Sequence, residues 1–380
     1  MFLEIDTKLK KKNLKRLYKN ELWCYCIVTI VFYRNYTEKL GEPTETRVYP
    51  ELRAFIFEGS FYFIFYPLLV IFLLMKKGGS FLSWRIVYIS EAEEMRLYLD
   101  NLKVVKDDQE ILIPLSDIHS IVVDNQNTTV TGRLINKLSE YHILLIFCDE
   151  THNPNMFCLG LYSHYKVYGM LYKQLEWDEK IKDEMWKKIV QIKIYNQTSI
   201  LKLLKKNPDV IQRMIQFANA VEPGDVTNRE GVAASLYFKE LLGDSFRRER
   251  GAIDAFNSAL NYGYIVLRSC VARAVTAHGL HPALGIGHRN QYNAFNLVDD
   301  CMEVFRPVID LWVVLTVKED DYLTREMKQQ LIARLSSKIN IGGQKQTVLN
   351  AIDLFVQSFI KAMNNRDIDL LVYPTDGIAI

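Results

Sequence analysis

Asp178-Glu179-Lys180-Ile181-Lys182-Asp183-Glu184-Met185-Trp186-Lys187-Lys188-Ile189-Val190-Gln191-Ile192 is where the pattern of the chain changes. Ile181, Met185, Ile189 and Ile192 recur every three or four residues, the spacing of one helix face, and Asp178 stands where a side chain caps a first turn. The same period returns over 229–242, 253–278, 296–317, 324–335 and 348–364, with Gly243 placed to end the first of these helices. Upstream the runs are short and β-branched or alternating: Arg85-Ile86-Val87-Tyr88-Ile89, Met95-Arg96-Leu97-Tyr98-Leu99, Ile111-Leu112-Ile113-Pro114-Leu115 and Ile121-Val122-Val123. Asp100-Asn101, Asp107-Asp108 and Asp124-Asn125 punctuate them, and a short helix over 131–140 feeds a buried strand over 142–147.

The expected class is α+β, with a mainly β domain at residues 83–161, a connection at 162–177 and a larger all-α domain at 178–372. Gly342-Gly343 is placed to turn a short hairpin before the last long helix. Residues after Arg366 read as a loose tail, with 373–380 as its end.

The first eighty residues have a different character. Phe61 to Met75 is an uncharged apolar run; taken back to Phe55 it is long enough to cross a bilayer, with Glu58 as its single charge, and Lys76-Lys77 follow it. Lys77-Gly78-Gly79 can be encoded by a purine-rich stretch resembling a bacterial ribosome-binding site, and Leu82 follows at a suitable distance for an alternative start codon. The expectation is that 1–81 is translated upstream DNA rather than native protein, and that the body begins near Leu82. The alternatives are a membrane anchor over 55–75 and a soluble extension.

Residues 1–81 hold 13 of the 47 basic and 8 of the 45 acidic residues, so the body is slightly acidic although the whole chain carries +2. A nucleic-acid surface on it must therefore be a local basic patch. None of the six cysteines (Cys24, Cys26, Cys148, Cys158, Cys270, Cys301) forms a C-x-x-C pair, which argues against a zinc knuckle and for reduced thiols in a cytoplasmic protein.

Three residues stand out chemically. Glu230, in Thr227-Asn228-Arg229-Glu230-Gly231, opens a helix whose inner face carries Ala233, Ala234, Tyr237 and Leu241. A carboxylate aimed along that face must meet Arg, His or a metal. Asp300 and Glu303 are three apart on a helix and share a face. His288 ends the Gly- and Pro-rich segment Gly279-Leu280-His281-Pro282-Ala283-Leu284-Gly285-Ile286-Gly287-His288, which is able to bring it to the same point. Two carboxylates and one imidazole suit Mg2+ or Mn2+ and point to phosphodiester chemistry. On spacing alone, a satisfied core Glu and His is the commoner outcome. His281 is a rival ligand, but Pro282 after it favours a turn role; His278 reads as a helix cap, and Asp299 as solvated or lying behind the ligands. Arg247, Arg248, Arg250, Arg268 and Arg273 are candidates to hold phosphates, the alternative being a solvated charge cluster. Tyr237, Tyr262, Tyr264 and Tyr292 are able to stack on bases, although tyrosines at helical spacing are more often core.

The segment Asn228-Arg229-Glu230-Gly231, then Ala259-Leu260-Asn261-Tyr262-Gly263-Tyr264, then Gly279 to His288, then Asp300 to Pro307 with Asp310, closely resembles the CRISPR-associated integrase family Cas1. Trp186 to Gln197 resembles that family's first catalytic-domain helix, and Ile113-Pro114-Leu115-Ser116-Asp117-Ile118 its β domain. The Asn-rich stretch between His288 and Glu303 is similar to the type II branch. The resemblance covers residues 83 to about 372 and leaves 1–81 without a counterpart. It implies Glu230, His288 and Glu303 as catalytic metal ligands for Mg2+ or Mn2+, with Asp300 behind them. It also implies a metal-dependent DNA endonuclease and integrase of CRISPR adaptation, which inserts short duplex DNA at the leader end of the repeat array by 3′-hydroxyl attack on a repeat phosphodiester. Implied partners are double-stranded DNA, a second copy through the β domains, the small ferredoxin-like subunit Cas2 in a heterohexamer, and the type II accessory ring protein and RNA-guided nuclease. The alternatives are a catalytically inactive DNA-binding scaffold of the same fold and a membrane-anchored protein.

Overall fold

The computed structural model describes residues 3–4 and 85–378, apart from 108, 159, 161–164, 250, 251, 253 and 319–321. The apolar run 55–75 and the expected start at Leu82 lie outside them. Among the described residues, no helix is long and apolar enough to cross a membrane.

The β region holds two sheets. The first runs in the order β1 (Leu3–Glu4), β2 (Arg85–Ile89), β6 (Ile118–Val123), β8 (Leu144–Cys148), β9 (Pro154–Cys158). Its first four strands are parallel and β9 is antiparallel to β8. In the second, β3 (Glu94–Tyr98), β4 (Asn101–Lys106) and β5 (Gln109–Pro114) form an antiparallel meander, and β7 (Thr129–Val130) lies parallel to β3. Helix α1 (Gly132–Glu140), capped by the Thr131 hydroxyl, crosses between β7 and β8.

Alternation along the first sheet serves two cores. Val87, Ile89, Ile121, Val123 and Leu145 pack with Met95, Leu102, Val104 and Ile113 of the second sheet and with Leu134 and Leu138 of α1. Ile86, Tyr88, Val122, Leu144 and Ile146 face the other way, into the core of the helices. Burial on both faces explains why β6 and β8 read as unbroken apolar runs, and why the sheet is built on parallel strands.

Nine-residue α2 (Val167–Leu175) lies within the expected connection. The Asp178 carboxylate accepts the Ile181 N–H at the start of α3 (Glu179–Leu203), as its spacing anticipates. There follow α4 (Pro208–Asn219), α5 (Arg229–Leu242) and α6 (Ala255–Ala277). The helix expected over 296–317 is interrupted. Helix α7 (Asn296–Met302) passes through a 3-10 turn, Glu303–Phe305, into α8 (Arg306–Thr316). Pro307 has no N–H to offer the Glu303 carbonyl, so the chain tightens there and restarts. After α9 (Arg325–Arg334), strands β10 (Lys338–Ile341) and β11 (Gln344–Thr347) form the hairpin, with φ of +55° at Gly342 and +76° at Gly343. Helix α10 (Val348–Asn365) closes the bundle. The residues read as a loose tail form a 3-10 turn, Ile368–Leu370, and a strand β12 (Pro374–Ile378) on β10; buried Leu371 holds this segment against the core.

The architecture is thus an N-terminal β region followed by a mostly helical domain. Helix α6 packs on β8 and β9, and α9 on β2. Lys328 Nζ donates to the His152 carbonyl at 2.8 Å, and Arg325 reaches Glu91 at 3.1 Å.

Candidate active site

Helix α5 begins at a tight corner. Asn228 sits at φ 51°, and its side chain caps the Gly231 N–H. The Asp225 carboxylate accepts the N–H groups of Arg229 and Glu230 at 2.8 and 3.0 Å. The first turn is thereby satisfied by other side chains, and the Glu230 carboxylate is left to face α3.

There it meets Lys193. This lysine lies on the buried face of α3 with Ile189 and Ile200, its side chain 8% exposed. Its Nζ is 2.5 Å from Glu230 Oε1 and 2.5 Å from Glu303 Oε2. Glu303, on the 3-10 turn between α7 and α8, is buried, and its Oε1 accepts from Arg306 Nε at 2.8 Å. Burial alone would raise the Glu303 pKa; the charges of Arg306 and Lys193 outweigh it and hold the carboxyl well below the usual range. Burial alone would likewise strip Lys193 of its proton, but Glu230 and then Glu303 keep it charged. Arg306 also lies 4.5 Å over the Tyr264 ring. The Lys193 ammonium donates a hydrogen bond to Glu230 Oε1 and is ion-paired with Glu303 Oε2.

His288 is delivered by a loop organised around Asp300. The Asp300 carboxylate, fully buried, accepts N–H groups from Ile286 at 2.6 Å, Gly287 at 3.2 Å and His288 at 2.8 Å. It also meets His288 Nδ1 at 2.8 Å. A carboxylate only accepts, so Nδ1 carries the hydrogen, and in the neutral ring Nε2 is the nitrogen with the lone pair. Burial lowers the His288 pKa, but Asp300, Glu303 and Glu230 together raise it, which places the imidazole in the field of both carboxylates. Trp186 of α3 stands edge-on to the imidazole with ring centroids 5.3 Å apart. A Cβ on Gly287 would come within 2.2 Å of that indole, so only glycine lets the loop lie this close. On the far side, the Gln174 amide of α2 donates to the carbonyls of His281 and Leu284, both at 3.1 Å, and accepts the His281 N–H.

Glu230, His288, Glu303 and Asp300 are therefore brought together. The donor set of two carboxylates and an imidazole nitrogen has the chemistry for Mg2+ or Mn2+, and Oε2 of Glu303 and Nε2 of His288 are the atoms able to turn to it. Among the described residues, no group of three or more His, Cys, Asp or Glu side chains stands close enough together to hold a metal ion as arranged here. The Lys193 ammonium is the cation that the two glutamates share.

His281 and His278 have the turn and cap roles expected of them: His281 Nδ1 faces the Ala283 N–H at 3.3 Å, and His278 Nε2 meets Asp353 at 2.9 Å. Asp299, read as solvated or lying behind the ligands, instead pairs with Arg268 through both oxygens at 2.7 Å. Two of the phosphate candidates have partners within the chain. Arg268 is occupied by Asp299 and Asn293, and Arg273 donates to the His142 carbonyl across the junction between α6 and the β region. Arg248 is tied to Asn257 and Asn261 and lies over Tyr264, whereas Arg247 is exposed and bonds only to local carbonyls. Arg250 lies outside the described residues. Of the tyrosines, Tyr237, Tyr262 and Tyr264 are core and Tyr292 is exposed.

Beneath the site, the Tyr264 hydroxyl donates to Asp310, and burial raises the Asp310 pKa to about 6. In the folded state this carboxyl keeps a proton that the unfolded chain has already released. Stability should therefore fall as pH rises from about 4 to 6, by about 2–3 kcal/mol. Asp310→Asn is expected to flatten that slope in thermal unfolding measured across this range; an unchanged slope would place the titration on another group.

The sequence profile of the family described as CRISPR associated protein Cas1 matches residues 87–338. The chain belongs to the Cas1 family. The CRISPR-associated endonuclease Cas1 of Neisseria meningitidis serogroup C (strain 8013) is 35% identical over 296 residues, covering 77% of this chain and 96% of that one. A Cas1 endonuclease of Francisella tularensis subsp. novicida (strain U112) is 28% identical over 65% of this chain and 82% of its own. Two solved structures share the fold: a casposase bound to its integration product (TM-score 0.62, 19% identity, 74% of this chain, 92% of that one) and a Cas1 protein from Thermotoga maritima (0.58, 20%, 73% and 96%). A third, in a Cas6-RT-Cas1–Cas2 complex, aligns over 76% of this chain and 36% of a longer one, with a TM-score of 0.63 and 21% identity. All four site residues fall within the Cas1 match. Lys193, Arg306, Asp225 and Gln174 were not singled out by sequence; a lysine on the apolar face of α3 was the one legible signal among them.

Proposed function

We propose that the chain is a metal-dependent DNA endonuclease and integrase of CRISPR adaptation, which joins the 3′-hydroxyl of a short duplex to a repeat phosphodiester at the leader end of the array. The observation that carries this reading is the convergence of the Glu230 and Glu303 carboxylates on one cation, beside an imidazole oriented by Asp300. The relatives named as Cas1 endonucleases and the casposase bound to its integration product support it.

Glu230, His288 and Glu303 would hold Mg2+ or Mn2+, which supplies Lewis-acid polarisation of the phosphodiester and stabilises the oxygens that enter and leave. The protein's own part is preorganisation. Asp300 fixes the imidazole and three loop N–H groups, Arg306 holds Glu303 from the side away from Lys193, and Trp186 closes one side of the imidazole. No side chain is needed as a covalent nucleophile. Exposed Arg247 is the phosphate contact in this reading, with Arg248 and Arg250 next to it in the sequence. The neighbour in a Cas1–Cas2 complex supports Cas2 as a partner. Pairing of two copies through the β regions, a heterohexamer, the ring protein, the RNA-guided nuclease and a cytoplasmic location complete the proposal.

The test is strand transfer. A labelled duplex, the full chain and its Cas2 partner are incubated with Mn2+ and a plasmid carrying a CRISPR array. Label should appear in the plasmid at the leader end and vanish with chelator. No transfer with Mn2+ or Mg2+, or transfer untouched by chelator, would overturn the reading.

A further inference from the structure

The position of Lys193 carries a consequence for how the site takes up its cation. A buried ammonium stands 2.5 Å from one oxygen of each glutamate, between two carboxylates contributed by different elements. A dication held by these two carboxylates would need the same space, and two positive charges so close would repel strongly where water is excluded. Arg306 holds Glu303 through Oε1, so the carboxylate would not be released if Lys193 left. Oε2, the atom facing Lys193, has that ammonium as its partner in an ion pair. The ammonium thus has a directed hydrogen bond to Glu230 Oε1 and an ion pair to Glu303 Oε2, and a doubly charged cation drawn by both carboxylates competes for that place.

We propose that Lys193 is a built-in competitor of the divalent metal: its ammonium holds Glu230 and Glu303 together before metal binds and is displaced from them when it does. The inference rests on the reading of Glu230, His288 and Glu303 as the metal ligands. Lys193 is a positioning residue. It preserves the carboxylate pair in a folded state without metal and sets the affinity with which that pair accepts one.

The experiment is a Mn2+ titration of the full chain, read by the electron paramagnetic resonance of free Mn2+, for wild type, Lys193→Met and Lys193→Arg. Methionine keeps a flexible stem and removes the charge. Lys193→Met should bind Mn2+ about tenfold tighter or more than wild type. It should also melt earlier than wild type in chelator and gain more from Mn2+, because the uncompensated carboxylates gain a partner only from the metal. Lys193→Arg, which keeps the charge, should bind no tighter than wild type. A second measurement needs no variant: acetylation of Lys193 by an amine-reactive reagent, read by mass spectrometry, should be low in chelator and rise with Mn2+. Equal or weaker Mn2+ binding by Lys193→Met, or labelling of Lys193 indifferent to Mn2+, overturns the inference while leaving the metal site standing. If neither wild type nor Lys193→Met binds Mn2+, the metal-site reading fails and the inference with it.

Discussion

Glu230→Gln is expected to reduce Mn2+-dependent strand transfer by about three orders of magnitude or more while leaving the fold intact. The amide is isosteric, the Glu230 side chain is 22% exposed, and its helix start is secured by Asp225 and Asn228 rather than by its own carboxylate. The unfolding temperature should fall, because Lys193 loses one of its two carboxylate partners, but the variant should stay folded at assay temperature and the loss of transfer should far exceed any loss of folded protein. His288→Ala should match it, because Nε2 is the nitrogen left open by the bond from Nδ1 to Asp300. Quantifying plasmid-joined label at fixed time and fixed Mn2+ decides the matter. Wild-type transfer by either folded variant would remove these residues from the chemistry, and would favour a Cas1-fold DNA scaffold whose activity lies elsewhere.

Asp300→Ala is expected to have the largest effect on stability, about 3–5 kcal/mol. Asp300 is fully buried and compensates four donors at once: three consecutive backbone N–H groups and the imidazole of His288. Alanine leaves all of them without an acceptor inside the protein. Asparagine restores one oxygen but points an NH2 at other donors, so Asp300→Asn should fall between alanine and wild type. Denaturant unfolding monitored by tryptophan fluorescence measures this directly, since Trp186 packs on the loop. A loss below about 1 kcal/mol for alanine would mean that the loop finds other partners or water.

How far the sequence could be read depended on whether the deciding contact was local. The helical period and the Asp178 cap are local, and α3 forms where they place it. Glu230, His288 and Glu303 each sit in a distinctive stretch and were found. Strands β4 and β9 were not: β9 is a short edge strand opening on a proline, and its identity as a strand comes from pairing with β8. The break at Glu303 was signalled by Pro307, but the helical periodicity on either side concealed it. Charge was hardest to read. Arg268 and Arg273 look like free cations in the sequence, yet their acceptors lie 31 and 131 residues away. Lys193 could be read as an odd lysine on the apolar face of α3, but its partners could not; only the approach of α5 and the 3-10 turn after α7 makes it the partner of both glutamates.

The first sheet has a further implication, for inheritance. Strands β2, β6 and β8 wall two cores at once, with Ile86, Tyr88, Val122, Leu144 and Ile146 packed among the helices. A crossover near residue 165 that joined the front half of one relative to the back half of another would place five large side chains against a surface that had drifted independently. Recombination should succeed only between close relatives or over the whole body, so residues 85–378 behave as a single heritable piece despite their two-part appearance.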